Sequence, residues 1–175
     1  WKGPPVDDPR YGFYYDIVRS PDGHVQPLRV RSIVGLIPLF ASAVITADTF
    51  AALPDFTRRV DWFIANQPTY SASIGHLDSG RRTHGAPLLL SIVSPERLQR
   101  IMSKAADPDE FLSPHGLRAL SRHHRDNPFV LHLGEDEARV DYEPGESTSG
   151  LFGGNSNWRG PVWIPFNALA VEALH

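Results

Sequence analysis

Apolar positions run almost without interruption from Leu28 to Val44, where SIVGLIPLFASAVI leaves no clear polar face. A run of that length, all apolar, predicts a buried helix, kinked or restarted at Pro38 because proline cannot donate to the helical ladder. A helical spacing follows over Asp55 to Asn66. Phe56, Val60, Phe63 and Ile64 fall on one stripe, Asp55 sits near the positive N-terminus, and Pro68 ends the helix. PLLLSIV predicts a short strand. Ser94, Pro95 and Glu96 then form a helix start, with Leu98, Ile101, Met102 and Ala105 as its apolar stripe. DPDEFLS predicts a further helical turn, and HGLRALSRHHR fits neither period. FVLHL and ARVDY, separated by Gly134 to Glu137, predict a β-hairpin. From Pro161, Val162, Trp163, Phe166, Leu169, Ala170, Ala173 and Leu174 share a helical face.

Polar stretches separate these elements. Pro4 to Pro27 reads as a loop with a turn at SPDGH, and GFYYDIV within it as a short strand or an extended arm. Thr69 to Ala86 and the glycine-rich stretch before Trp158 read as long loops, longer than a compact domain needs for connection alone. The balance predicts a mainly α chain with small β-hairpins, without internal repeats.

Length and composition narrow the classes. The 175 residues fit one domain, and a net charge of −3 with no basic half gives no nucleic-acid footprint. With no cysteine there are no disulfides and no thiolate metal sites. No apolar run reaches membrane-spanning length and no signal peptide is visible, so the default expectation is a cytoplasmic protein without a membrane partner. The chain starts at Trp1 and stops at His175 inside an apolar-periodic segment. This reads as a single domain over 1–175 truncated at both ends, an internal fragment of a longer protein.

Candidate chemistry concentrates between Glu143 and Trp163. Arg159 offers a planar fork for a carboxylate or a hydroxyl pair. Trp158 and Trp163 offer flat apolar faces of the kind that pack on a sugar ring. Asn155 and Asn157 carry both donors and acceptors, and Gly150, Gly153 and Gly154 allow close backbone approach. The plainer alternative makes Trp163 core, pairs Arg159 with a buried acid such as Asp16, and leaves the glycines as turn formers. Glu143 and Glu146 lie three apart beside this loop. Inverting glycoside hydrolysis needs two carboxyls about 6–10 Å apart, although two Glu in a polar turn are more often solvated. His123, His124 and His132 are the densest histidine group, and their spacing favours structural roles over a metal site. Arg29 and Arg31, at the edge of the apolar run, read as anchors of buried pairs, with Tyr14, Tyr15 and Asp16 beside them.

Three strings, PLRVRSIVGLIPLF, FLSPHGLRALSRHHRDNPF and above all VDYEPGESTSGLFGGNSNWRGPVWIPFN, resemble the bacterial branch of glycoside hydrolase family 63. This glucosidase I-like family is related to the mannosylglycerate hydrolases. The resemblance covers nearly the whole chain, and its WRGPVW core marks the wider group of six-hairpin glycosidases. It implies part of an (α/α)6 toroid with small β-hairpin insertions. The implied reaction is hydrolysis of an α-glycosidic bond with inversion, using an Asp general acid and a Glu general base. Both catalytic carboxylates would lie outside this chain. The implied substrate-binding residues are Trp158, Arg159 and Trp163, with Asn157 where some relatives carry Tyr. A carbohydrate is the implied partner, and neither cofactor nor metal is implied. The segment alone is then expected to be inactive and aggregation-prone, with IVGLIPLF exposed. A non-catalytic carbohydrate-binding or scaffold module, or a helical interaction protein, would use the same residues without chemistry.

Overall fold

The computed structural model describes residues 12–68, 75–76, 87–91, 93, 95–133, 136–145 and 158–174. The chain is not mainly α. Short helices alternate with four small antiparallel sheets, so the (α/α)6 toroid expected from the resemblance is corrected to a mixed α and β architecture.

Strands β1 (Asp16–Arg19) and β2 (Val25–Leu28) form the first hairpin, turning at the SPDGH stretch. The apolar run that follows is not one buried helix. It divides into a 3-10 helix (Ile33–Phe40) and a strand β3 (Ser42–Ile45). The physical reason lies in its spacing. A 3-10 helix stacks residues three apart, and Ile33, Leu36 and Leu39 are the buried positions, while Ile37 is 39% exposed. Pro38 removes an amide that a longer α-helix would need. Gly35 lets the Phe13 ring sit against the helix backbone, where a side chain would overlap the Tyr14 carbonyl at 2.6 Å.

Helix α1 (Ala47–Ala52), which the apolar pattern does not announce, is capped by Thr46 accepting from Thr49 N–H at 3.3 Å. Helix α2 (Pro54–Asn66) forms where its stripe predicts, with Asp55 in the first turn. Its most deeply buried residue is Thr57, whose hydroxyl donates to the Phe50 carbonyl at 2.8 Å. Strands β4 (Gly75–His76) and β5 (Leu88–Ser91) join β3 in the order β3-β5-β4. Helix α3 (Pro95–Ala105) buries Ile101 and Ala105 of its expected stripe. The DPDEFLS stretch is not a helical turn. It leads into a tight hairpin of β6 (Leu112–Ser113) and β7 (Gly116–Leu117). A second 3-10 turn (Arg122–Arg125) precedes the expected hairpin of β8 (Phe129–Leu133) and β9 (Asp136–Val140). Helix α4 (Ile164–Leu174) closes the described chain.

One apolar core joins the first 3-10 helix, α3 and α4. Phe13, Ile33, Leu36, Val93, Ile101 and Phe111 pack together, with Trp163 and Phe166 of the C-terminal segment against them. The Phe13 and Phe111 rings stack at 5.6 Å. Helix α4 lies on the first 3-10 helix through Phe40 and Phe166. It is not buried on the full expected face: Leu169 and Leu174 are 51% and 64% exposed. No described helix is long and apolar enough to cross a membrane.

Candidate functional site

The segment 158–163 is held from two sides. On one side the Glu143 amide donates to the Arg159 carbonyl at 2.7 Å. On the other, Ala119 N–H donates to the Pro161 carbonyl at 2.8 Å, and Arg118 and Val162 form an isolated antiparallel bridge. These backbone bonds fix where the neighbouring side chains point.

Trp158 and Arg159 differ sharply in burial. The Trp158 indole is 45% exposed and meets Trp163 edge to face, with centroids 4.5 Å apart and planes at 85°. Trp163 continues inward to Phe166 at 5.2 Å, so an aromatic path runs from the surface to the core. Arg159 is only 1% exposed. Its Nη1 donates to Glu143 Oε2 at 2.8 Å. The acid that meets Arg159 is thus Glu143, not Asp16, which lies exposed on β1. Asn155, Asn157, Glu146 and the three loop glycines lie outside the described residues.

Three supporting residues, Tyr142, Arg118 and Asn167, are not singled out by the sequence pattern. Tyr142 lies against Gly160, whose φ of +131° and missing side chain allow the contact; a Cβ there would meet Tyr142 Cδ2 at 2.6 Å. Arg118 Nε donates to the Tyr142 hydroxyl at 3.1 Å, and its Nη1 donates to the carbonyls of Pro108, Glu110 and Leu112. Asn167 of α4 acts as a strand partner for Leu117: its Oδ1 accepts from Leu117 N–H at 2.6 Å and its amide donates to Leu117 O at 3.1 Å. A glycine between an Arg and a Pro is a sequence signal for such close packing. Nothing in sequence spacing points to Asn167, because its partner lies 50 residues away.

A second polar cluster lies under the Arg31 segment. Glu110 accepts from Arg31, from Lys104 Nζ at 2.9 Å and from Ser121 Oγ at 2.5 Å. Burial works to raise its carboxyl, and the Ser121 and Lys104 hydrogen bonds with the Arg31 charge outweigh it, leaving the pKa below the ordinary value. Arg31 is thus the buried-pair anchor that its position predicts. His124 accepts from Arg31 N–H at Nε2 (2.9 Å), so its Nδ1 carries the proton donated to Asn127 O at 2.9 Å. Burial holds its pKa below the ordinary imidazole value. His132 is exposed on the β8–β9 hairpin. Among the described residues, no group of three His, Asp or Glu is placed to hold a metal ion.

What the arrangement offers is an exposed indole fixed edge-on against a second, on a chain segment that also carries a buried ion pair. This suits the apolar face of a ring ligand. No family model matches the chain, and no solved structure matches it. Over 163 residues, 93% of its length, the chain is 47% identical to the protein named "Uncharacterized protein YMR196W" of Saccharomyces cerevisiae, and it spans 15% of that protein's length.

Proposed function

We propose that this segment works within a longer inverting α-glycosidase acting on α-glucosides or related oligosaccharides, and that it supplies part of the wall holding the sugar. The observation that carries the reading is the Trp158–Trp163 pair, with Trp158 45% exposed beside Trp163. The C–H face of a pyranose packs on such an indole, and the Trp163 contact limits the freedom that binding would otherwise have to freeze. The resemblance of the WRGPVW stretch to glycoside hydrolase family 63 points to the same chemistry. Glu143 is engaged with Arg159, so the general acid and general base are assigned to an Asp and a Glu elsewhere in the protein.

Kinetics of the full-length protein carrying this segment, on an aryl α-glucoside, test the proposal. Trp158→Ala should raise KM roughly tenfold, the size of one lost aromatic contact, with an unchanged melting temperature. An unchanged KM would refute sugar contact at Trp158. Binding of sugar without turnover by the full-length protein would favour a non-catalytic carbohydrate-binding module.

A further inference from the structure

Tyr142 occupies an unusual place in the site. Its amide donates to the His124 carbonyl at 3.3 Å, and the next residue supplies the carboxylate that meets Arg159. Its ring packs on the Gly160 backbone. Its hydroxyl accepts from Arg118 Nε, and the Arg125 guanidinium lies 5.3 Å from its ring centre. Arg118 is 8% exposed and is itself fixed by three main-chain carbonyls, so it cannot follow the tyrosine if that ring moves. Gly160 sits between Arg159 and Pro161, two residues from Trp158 and three from Trp163. A shift of the Tyr142 ring therefore moves the backbone joining the two indoles.

We propose that Tyr142 is a positioning residue for the Trp158–Trp163 pair: clamped between the Gly160 backbone and the Arg118 and Arg125 guanidinium groups, its ring sets the angle at which the two indoles meet. The Arg125 cation–π contact and the Arg118 hydrogen bond hold the ring against Gly160, and the glycine transmits its position to the flanking residues. That this angle matters for holding a sugar rests on the glycosidase reading; the positioning itself does not.

Two indoles this close and nearly perpendicular couple their strong electronic transitions, giving a circular-dichroism couplet whose sign and size report their mutual orientation. The couplet is isolated as the difference between the protein and its Trp158→Phe variant. Tyr142→Leu, in a protein that still melts cooperatively, should lose the couplet, and Tyr142→Phe, which keeps the ring, should retain it. Gly160→Ala, which pushes into the ring, should lose it as well. A wild-type couplet in folded Tyr142→Leu would overturn the proposal. So would failure of both Tyr142→Leu and Tyr142→Phe to melt cooperatively, since Tyr142 would then serve the fold as a whole. Addition of methyl α-glucoside should perturb the wild-type couplet. If it does not, while the variants behave as stated, the sugar reading fails and the positioning role stands.

Discussion

Trp158 and Arg159 are neighbours in the chain and opposite in burial, so their substitutions should separate binding from stability. Removing the guanidinium takes a buried cation away from the part-buried Glu143 carboxylate and empties the space that Arg159 fills. Breaking a buried pair from one side costs about 3–5 kcal/mol, so Arg159→Ala should lower the unfolding free energy by that order in a denaturant melt. Trp158→Ala should stay within roughly 1 kcal/mol, as expected for a half-exposed side chain. The importance of Arg159 is legible in the sequence, but the direction of its side chain is not. That depends on the 141–143 segment lying alongside, a pairing set by tertiary structure. Equal destabilisation by both variants would place Trp158 in the fold rather than at a surface. His124 carries a second residue-scale prediction. Its ring accepts from the Arg31 amide and faces His123, Arg31 and Glu110. With its folded pKa depressed, the unfolded chain binds more protons near the ordinary value of 6.5. Stability is then complete above that pH and falls as pH drops through it toward the folded pKa. His123 shifts the same way. Glu110, also depressed, adds a separate loss as pH falls through its ordinary value of 4.5 and below. Thermal melts against pH should show both steps, and His124→Gln should shrink only the first.

At the scale of elements, what can be read from sequence depends on period. Helices α2 and α3 are legible because their stripes repeat at 3.6 residues, and the β8–β9 hairpin because β-branched and aromatic positions alternate around a glycine. The 3-10 helix is not, since an all-apolar run hides the period; only burial reveals that Ile33, Leu36 and Leu39 repeat every three. Helix α1 is illegible for a different reason: at six residues it is too short for a helical stripe to repeat. The β6–β7 hairpin is two residues a side, and α4 supplies partners for Leu117. Asn167 satisfies both main-chain groups of Leu117, and each buried group left unpaired costs about 1–3 kcal/mol. Asn167→Ala should therefore speed hydrogen exchange at the Leu117 amide far more than at amides of the β8–β9 hairpin. Equal exchange at Leu117 in the variant and the wild type would show that the contact carries no stability.

For the whole molecule, the unresolved demand is apolar surface. Helix α4 is apolar almost all round, a pattern that belongs to a helix buried on every side, yet Ile164, Leu169, Val171 and Leu174 are each more than half exposed. At micromolar concentration the 175-residue chain should self-associate through this face. Replacing Leu169, Val171 and Leu174 by Gln should restore a monomer in sedimentation velocity without loss of the cooperative melt. The toroid implied by the sequence motif is not the architecture found: WRGPVW specifies a local segment, and that segment is compatible with the mixed architecture seen. Chemistry is the more local property, and the proposal assigns its two carboxylates outside these residues, so the chain alone should not hydrolyse an aryl α-glucoside. The central claim is that the segment belongs to an inverting α-glycosidase. The most direct test is proton NMR of the sugar first released when the full-length protein cleaves an α-glucoside. Inversion at the anomeric carbon should release β-glucose first, appearing before mutarotation. Release of α-glucose, or no hydrolysis of any α-glycoside, would contradict it.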